Sequence, residues 1–236
     1  MSFATTISPA PLLNVPKLIF ELSKDSQNRF MELETVIFTY VLLELIQQKT
    51  DQIWEVKTNE YPTSSKLFID QKFFEPIPLA IERTIELPSR EEILANMKKL
   101  EGLRYFWGGS YPYGIPNILK FYPHISERED LADLICQGVD CSGLLFFATN
   151  GYTPRNTSEL IHFGTNIPLE NLKLEPLDII VWQGHVLIAV SSDTLIESRI
   201  DKGVCFSPLK TRFPEVQKIA ASQKKELFVR RWYPQK

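Results

Sequence analysis

Residues 141–149 read Cys-Ser-Gly-Leu-Leu-Phe-Phe-Ala-Thr, with no charged side chain among them, and they end at Asn150-Gly151. An apolar run of this length, closed by an Asn-Gly pair that tolerates left-handed backbone, predicts a helix buried on every side. A helix with no polar face cannot stand at a surface, so other elements must enclose it. The chain that follows supplies them. Residues 179–182, 185–190, 194–198 and 227–232 are short apolar, β-branched runs that predict strands, and residues 157–163 predict a second short helix. Helices first and hairpin-linked strands afterwards predict an α+β domain rather than a doubly wound sheet.

The first 90 residues have a different texture and contain neither Cys nor His. Val41, Leu43 and Leu45 alternate with Leu42, Glu44 and Ile46, and residues 47–52 form a polar turn. Residues 53–57 alternate apolar and polar, residues 59–66 read as a loop, and residues 67–69 as a short strand. This predicts a small β-barrel scaffold that shapes a neighbouring site. The texture changes at Pro88-Ser89-Arg90-Glu91-Glu92. Ser89 is placed to cap a helix with Glu91 and Glu92 in its first turn, Ile93, Met97 and Leu100 follow at helical spacing, and Gly102 is a stop. The expected domains are therefore 1–87 and 88–236.

Composition removes several functions. Lys and Arg total 26 against 29 Asp and Glu, a net charge of −3, which argues against a broad basic surface for nucleic acid. Three Cys are too few, and odd in number, for a disulfide framework. No stretch reaches the roughly 18 apolar residues of a membrane span. The N-terminal residues lack a basic segment followed by a long apolar one, so the expected location is the cytoplasm.

Cys141 stands where chemistry is available. A thiol opening a helix lies at the positive end of the helix dipole, beside free backbone N–H groups, and both favour the thiolate. The same groups can hold a developing oxyanion. A thiolate needs a base, and His185 opens an apolar strand directly after Gly184, at the edge of a cleft. Cys136 and Cys205 fit core positions better, His162 lies inside a helical run, and His124 sits in a Pro-flanked loop.

These residues carry a resemblance. Asp140-Cys141-Ser142-Gly143-Leu144 is similar to the D-C-S-G-L nucleophile motif of the NlpC-type cysteine peptidases of bacterial cell walls. In the family's order, Tyr105-Phe106-Trp107-Gly108-Gly109 resembles Y-x-W-G-G, and Pro154-Arg155-Asn156-Thr157-Ser158 resembles P-R-[D/N]-[ST]. Pro176-Leu177-Asp178-Ile179-Ile180 resembles P-G-D-L-[IV], Gly184-His185-Val186-Leu187-Ile188 resembles G-H-V-x-I, and Arg230-Arg231 resembles the closing A-R-R. The match covers about residues 100–236. More weakly, residues 33–56 resemble the bacterial SH3-like barrel that often precedes the family's catalytic domain.

The resemblance implies a papain-like α+β domain in which Cys141 attacks a peptide carbonyl and His185 moves the proton, with no metal or other cofactor. The family's third member is usually a His, Asn or Gln about a dozen residues after the His, and Glu197 stands there. If Ser191-Ser192-Asp193 form a three-residue hairpin loop, Glu197 shares a sheet face with His185 as a diagonal neighbour; a two-residue loop would put it on the opposite face. Tyr105, Asp140, Ser142 and, more weakly, Ser158 are the implied substrate-binding residues, with Asp140 available either to a substrate ammonium or as the helix cap. Two departures stand out: Leu177 replaces the usual Gly, and residues 110–138 insert between the W-G-G and D-C-S-G blocks, as a rim of the site or a surface elaboration. The implied activity is hydrolysis of peptidoglycan stem peptides between γ-D-glutamate and diaminopimelate. The same nucleophile would serve an amidase or acyl transferase, and an inactive peptide-binding module is the remaining alternative. The expected partner is a peptidoglycan-derived peptide, without nucleic acid and without a membrane span.

Overall fold

A computed structural model describes residues 2–27, 29–170 and 172–234. The chain divides into two compact units, residues 1–84 with 106–138 and residues 85–105 with 139–236. Both units are built on antiparallel sheets.

The first unit carries β1 (Ser2–Thr6), β2 (Ala10–Leu13), β3 (Leu33–Ile37), β4 (Leu42–Gln48), β5 (Ile53–Lys57), β6 (Leu67–Asp70) and β7 (Phe74–Ile77) in one seven-stranded sheet, ordered β3-β2-β6-β5-β4-β1-β7. The alternating run at 41–46 is a strand, as its period requires, but it runs on through Gln47 and Gln48. These pair with Glu55 and Trp54 past a bulge after Leu45. Ladder hydrogen bonds are made by backbone, so two exposed amide side chains do not stop the strand. Leu12, Val36, Val41, Leu43 and Val56 are buried in this unit. Burial of each such side chain contributes roughly 1.5–3 kcal/mol. Thr6 is buried among them without cost, because its hydroxyl donates to the Phe38 carbonyl at 2.7 Å and accepts from the Val41 N–H at 2.9 Å.

The second unit opens with α1 (Arg90–Lys98), capped by Ser89. The Ser89 hydroxyl accepts from the Glu92 N–H at 3.2 Å and the Glu92 carboxylate accepts from the Ser89 N–H at 2.8 Å, a reciprocal capping box. The chain then contributes residues 106–138 to the first unit, with β8 (Ser110–Tyr111), α2 (Asn117–Phe121) and α3 (Leu131–Leu134), and resumes the second at Val139, the last residue of β9 (Gly138–Val139). The segment expected as an insert of the C-terminal domain thus groups with the N-terminal one. Its anchors are polar and specific. Tyr122 donates its hydroxyl to buried Asp70 at 2.6 Å, Lys72 donates to the Phe121 carbonyl at 3.1 Å, and the Val36 N–H donates to the Gly108 carbonyl at 3.1 Å. Gly109 has to be glycine here, since a Cβ would stand 2.5 Å from the Gly138 carbonyl oxygen.

The rest of the second unit comprises α4 (Cys141–Ala148), α5 (Thr157–Leu160), β10 (Thr165–Asn166), β11 (Ile179–Trp182), β12 (His185–Ala189), β13 (Thr194–Arg199), β14 (Gly203–Pro208), α6 (Leu209–Ser222) and β15 (Phe228–Arg231). Its six-stranded sheet is ordered β10-β15-β11-β12-β13-β14. One face carries Ile179, Val181, Val186, Ile188 and Ile196 and packs with Met97 of α1 and Leu144 and Leu145 of α4. The other carries Ile180, Leu187, Ala189, Leu195 and Val229 and packs with Val216 and Ala220 of α6. A sheet covered on both faces explains why its strands read as continuous apolar runs. The helix expected over 157–163 is a single turn, and α6 was not anticipated. Pro214 lies inside α6, and its missing N–H leaves a gap in the helix's hydrogen-bond ladder. Burial of Val216 and Ala220 against the sheet holds the helix regardless. Among the described residues no helix is long and apolar enough to cross a membrane.

Leu177, in the place of the motif glycine, keeps the left-handed backbone with φ 77° and is fully buried. Left-handed backbone costs a non-glycine residue about 1–2 kcal/mol, while deleting a buried Leu side chain costs about 2–5 kcal/mol. Burial therefore outweighs strain, and Leu177→Gly is expected to lower the melting temperature in thermal denaturation. A rise instead would show that strain dominates.

Candidate active site

The site lies within the second unit and begins at Val139. Its carbonyl accepts from the buried Ser198 hydroxyl of β13 at 2.7 Å, and its backbone bridges to Tyr105. Asp140 follows in extended conformation and caps α4, its carboxylate accepting from the Gly143 N–H at 2.7 Å. The same carboxylate is gripped by the guanidinium of Arg155, at 3.0 and 2.6 Å, and Arg155 also donates to the Ser142 hydroxyl at 2.8 Å. All three side chains are buried. A bidentate pair of this kind fixes geometry as well as neutralising charge. It sets the start of α4, and with it Cys141, whose side chain is 7% exposed and lies 4.0 Å from the Gly184 carbonyl oxygen.

The opposing wall is the hairpin of β11 and β12. Trp182 pairs with His185 across a two-residue Gln183-Gly184 turn. Gly184 adopts φ 115°, a conformation open to glycine, and its N–H donates to the Thr157 hydroxyl at 2.9 Å. The imidazole of His185 neighbours Cys141, which acts to raise its pKa. The Trp182 ring lies against it with centroids 5.1 Å apart. On the next strand Val190 bonds to Thr194, Ala189 faces Leu195 and Ile188 faces Ile196, the register of a three-residue loop at Ser191-Ser192-Asp193. Glu197 is thereby diagonal to His185 on the same face, with its Oε2 2.7 Å from His185 Nε2. Nε2 being engaged by the carboxylate, Nδ1 is the ring nitrogen left for Cys141.

Glu197 is wholly buried and has a second partner. Arg212 of α6 donates to Oε1 at 2.6 Å and to Oε2 at 2.8 Å. Burial acts to raise the Glu197 pKa, but the hydrogen bonds from His185 and Arg212 outweigh it and hold the carboxyl below its ordinary value. Burial likewise acts to lower that of His185, but the neighbouring Cys141 and the hydrogen bond with Glu197 outweigh it and push it up to about 9. A histidine raised in the folded state contributes stability that is fully present below its ordinary pKa of about 6.5 and is lost as pH rises through the folded value. The melting temperature is therefore expected to fall between about pH 6.5 and 9. His185→Gln should flatten that fall; an equal slope in the variant would assign it to other groups.

Of the residues singled out in the sequence, Cys141, His185 and Glu197 are brought together, with His185 neighbouring Cys141 and hydrogen-bonded to Glu197. Asp140 and Ser142 meet beneath Cys141, engaged with Arg155, whose role as their partner the sequence did not suggest. The Tyr105 backbone lies beside Val139, next to that group. Ser158 is exposed on α5. Sequence reasoning missed Arg212, Ser198 and Thr157, and it missed Arg231, which pairs with buried Asp178 at 2.9 and 2.7 Å. The last two sit in quoted blocks, so the signal was present without its geometry. Cys136 is buried and Cys205 half-buried; burial pushes both thiols up.

No family model matches the chain, and no curated protein does. Among solved structures, it is similar to an NlpC/P60 family protein from Bacillus cereus, with 17% identity over 99% of this chain and 64% of that one, TM-score 0.43. It is similar to NlpC2 from Trichomonas vaginalis, with 14% identity over 100% and 74%, TM-score 0.42. RipD from Mycobacterium tuberculosis, a non-catalytic NlpC/p60 domain protein adapted to peptidoglycan binding, aligns at 17% identity over 63% of this chain and 98% of that one, TM-score 0.41. The chain spans less than two thirds of the length of the Bacillus cereus protein.

Proposed function

We propose that this protein is a cysteine peptidase that hydrolyses peptidoglycan stem peptides between γ-D-glutamate and the diamino acid. The observation that carries the chemistry is the placement of Cys141 at the first position of α4 beside the imidazole of His185, whose Nε2 lies 2.7 Å from Glu197 Oε2. The substrate class rests on the ordered motif blocks around those residues.

In this reading the Cys141 thiolate attacks the γ-glutamyl carbonyl, and backbone N–H groups at the start of α4 receive the oxyanion. His185 gives its Nδ1 proton to the leaving amine as the C–N bond breaks, leaving a thioester on Cys141. It then takes a proton from water, whose oxygen attacks the thioester and frees the acid and the thiol. Glu197 holds the ring with Nδ1 toward sulfur and balances the imidazolium charge. Tyr105, Ser142 and Ser158 would contact the upstream end of the peptide. Asp140 would have to share its carboxylate between Arg155 and a substrate ammonium. The first unit, in the same reading, is an SH3-like module.

The test is incubation of the protein with L-Ala-γ-D-Glu-diaminopimelate, read by mass spectrometry. Release of L-Ala-D-Glu is the expected result. If neither this tripeptide nor a cross-linked muropeptide is cleaved while Cys141 is intact, the peptidase assignment falls.

A further inference from the structure

The carboxylate of Glu197 is the most deeply buried charge in the site, and an isolated carboxylate in such a place would take up a proton. What opposes this is α6. Arg212, itself 6% exposed, lays a two-pronged guanidinium on Glu197, at 2.6 Å to Oε1 and 2.8 Å to Oε2, while His185 takes Oε2 from the other side. The far end of α6 reaches the same hairpin: the Gln223 amide oxygen accepts from the indole N–H of Trp182 at 3.3 Å, and Trp182 lies against the imidazole. With Cys141 as thiolate and His185 as imidazolium, the buried line reads minus, plus, minus, plus, and sums to zero. Without Arg212 it would hold one uncompensated negative charge.

We infer that Arg212 is a positioning residue for the Cys141–His185 pair, holding Glu197 ionised and oriented so that thiolate and imidazolium form together at no net buried charge. This rests on the reading of Cys141 as a nucleophile. The other titratable and charged groups facing the line are few. Glu215 on α6 shares Arg212 at 3.0 Å but is 60% exposed, so solvent screens it. Cys205 on β14 is opposite Glu197 in register. Lys225, beyond α6, has its ammonium 3.1 Å from where a Cβ on Gly184 would stand. Below Cys141, Asp140 and Arg155 form a closed pair.

The experiment measures alkylation of Cys141 by iodoacetamide against pH in the full chain, followed by mass spectrometry on the Cys141 peptide, with iodide leaving as the thioether forms. Removing the compensating charge makes the site retain a proton. In Arg212→Met the acid limb of the rate should therefore move about one pH unit upward, making alkylation about tenfold slower at any pH below the limb. Arg212→Lys keeps the charge but not the fork. Its limb should stay within about 0.3 unit of the wild type, while kcat for the peptide falls and KM does not. In Arg212→Met/Glu197→Gln both buried charges leave together, and the limb should return to the wild-type position although the rate stays low. A residue that only stabilises the fold would lower the melting temperature in all variants and move no limb. An unmoved limb in Arg212→Met, or a double variant shifted as far as the single one, overturns the inference. If the single variant does not fold, the double variant decides: a limb displaced from the wild-type position overturns it. A wild-type Cys141 that shows no acid limb and reacts no faster than an ordinary exposed thiol overturns the nucleophile reading itself, a separate result.

Discussion

Cys141→Ala should abolish release of L-Ala-D-Glu from the tripeptide while leaving the fold nearly as stable as before. Deleting the nucleophile of a hydrolase costs on the order of 10⁶-fold in kcat, because the covalent route is removed and the remaining site contributes only binding and oxyanion contacts. The structural cost is small by comparison. The substitution removes one sulfur from a side chain already close to a small apolar core residue, and its hydrogen bond to the Gly184 carbonyl oxygen. A lost hydrogen bond is worth about 1 kcal/mol, which in a chain of this length moves the melting temperature by about 2–4 °C. The two readouts separate the roles. Loss of activity with the melting temperature held means a nucleophile. A large fall in melting temperature means a packing cysteine, and the peptidase reading would then lose its central residue.

Glu197→Ala carries the largest expected loss of stability. It removes the acceptor for three donors and leaves the Arg212 guanidinium, 6% exposed, with only the solvent-exposed Glu215 as counter-charge. Breaking a buried pair from one side costs about 3–5 kcal/mol, or a fall in melting temperature of about 10 °C or more. Glu197→Gln keeps the volume and isolates the electrostatic part. The single amide oxygen can replace Oε2 as acceptor for His185 and Arg212, but the amide NH₂ then stands in the place of Oε1 and faces the Arg212 Nε–H, donor against donor. Hydrolysis is expected to fall by about 10²–10⁴-fold, on the scale of neutralising the orienting acid in a catalytic triad, with a smaller stability loss than Glu197→Ala. Thermal denaturation and steady-state kinetics on both variants check this. If Glu197→Gln hydrolyses the tripeptide as fast as the wild type, Glu197 is a structural ion-pair member and no more.

Much of the line from Cys141 to Glu197 could be read from local rules. Asp140 as a cap and a glycine two residues after Cys141 place the thiol at the start of a helix whatever surrounds it. The Ser191-Ser192-Asp193 loop sets its own length through short-range bonds, Ser191 donating to the Asp193 carboxylate at 2.6 Å, and that length alone decides which face Glu197 takes. The strands at 179–182 and 185–189 declared themselves through unbroken apolar runs. Where the reading failed, the deciding contacts are remote in sequence. Arg212 is 15 residues from Glu197, on a helix that its own Pro214 argues against and that only burial on the sheet sustains. Arg155 is 15 residues from Asp140 and reads locally as an ordinary loop cation. Residues 110–138 read as an insert beside the nucleophile, whereas Tyr122 and Phe121 meet Asp70 and Lys72 some fifty positions earlier.

The sequence by itself therefore determined on which elements the candidate site atoms sit, because helix caps, hairpin loop lengths and strand periodicity are short-range properties of neighbouring residues. Only the tertiary structure decided how those atoms are charged and held. Burial gives a carboxylate or an imidazole its environment through partners of distant sequence position, and no local pattern records that Glu197 would be enclosed between His185 and an arginine from α6.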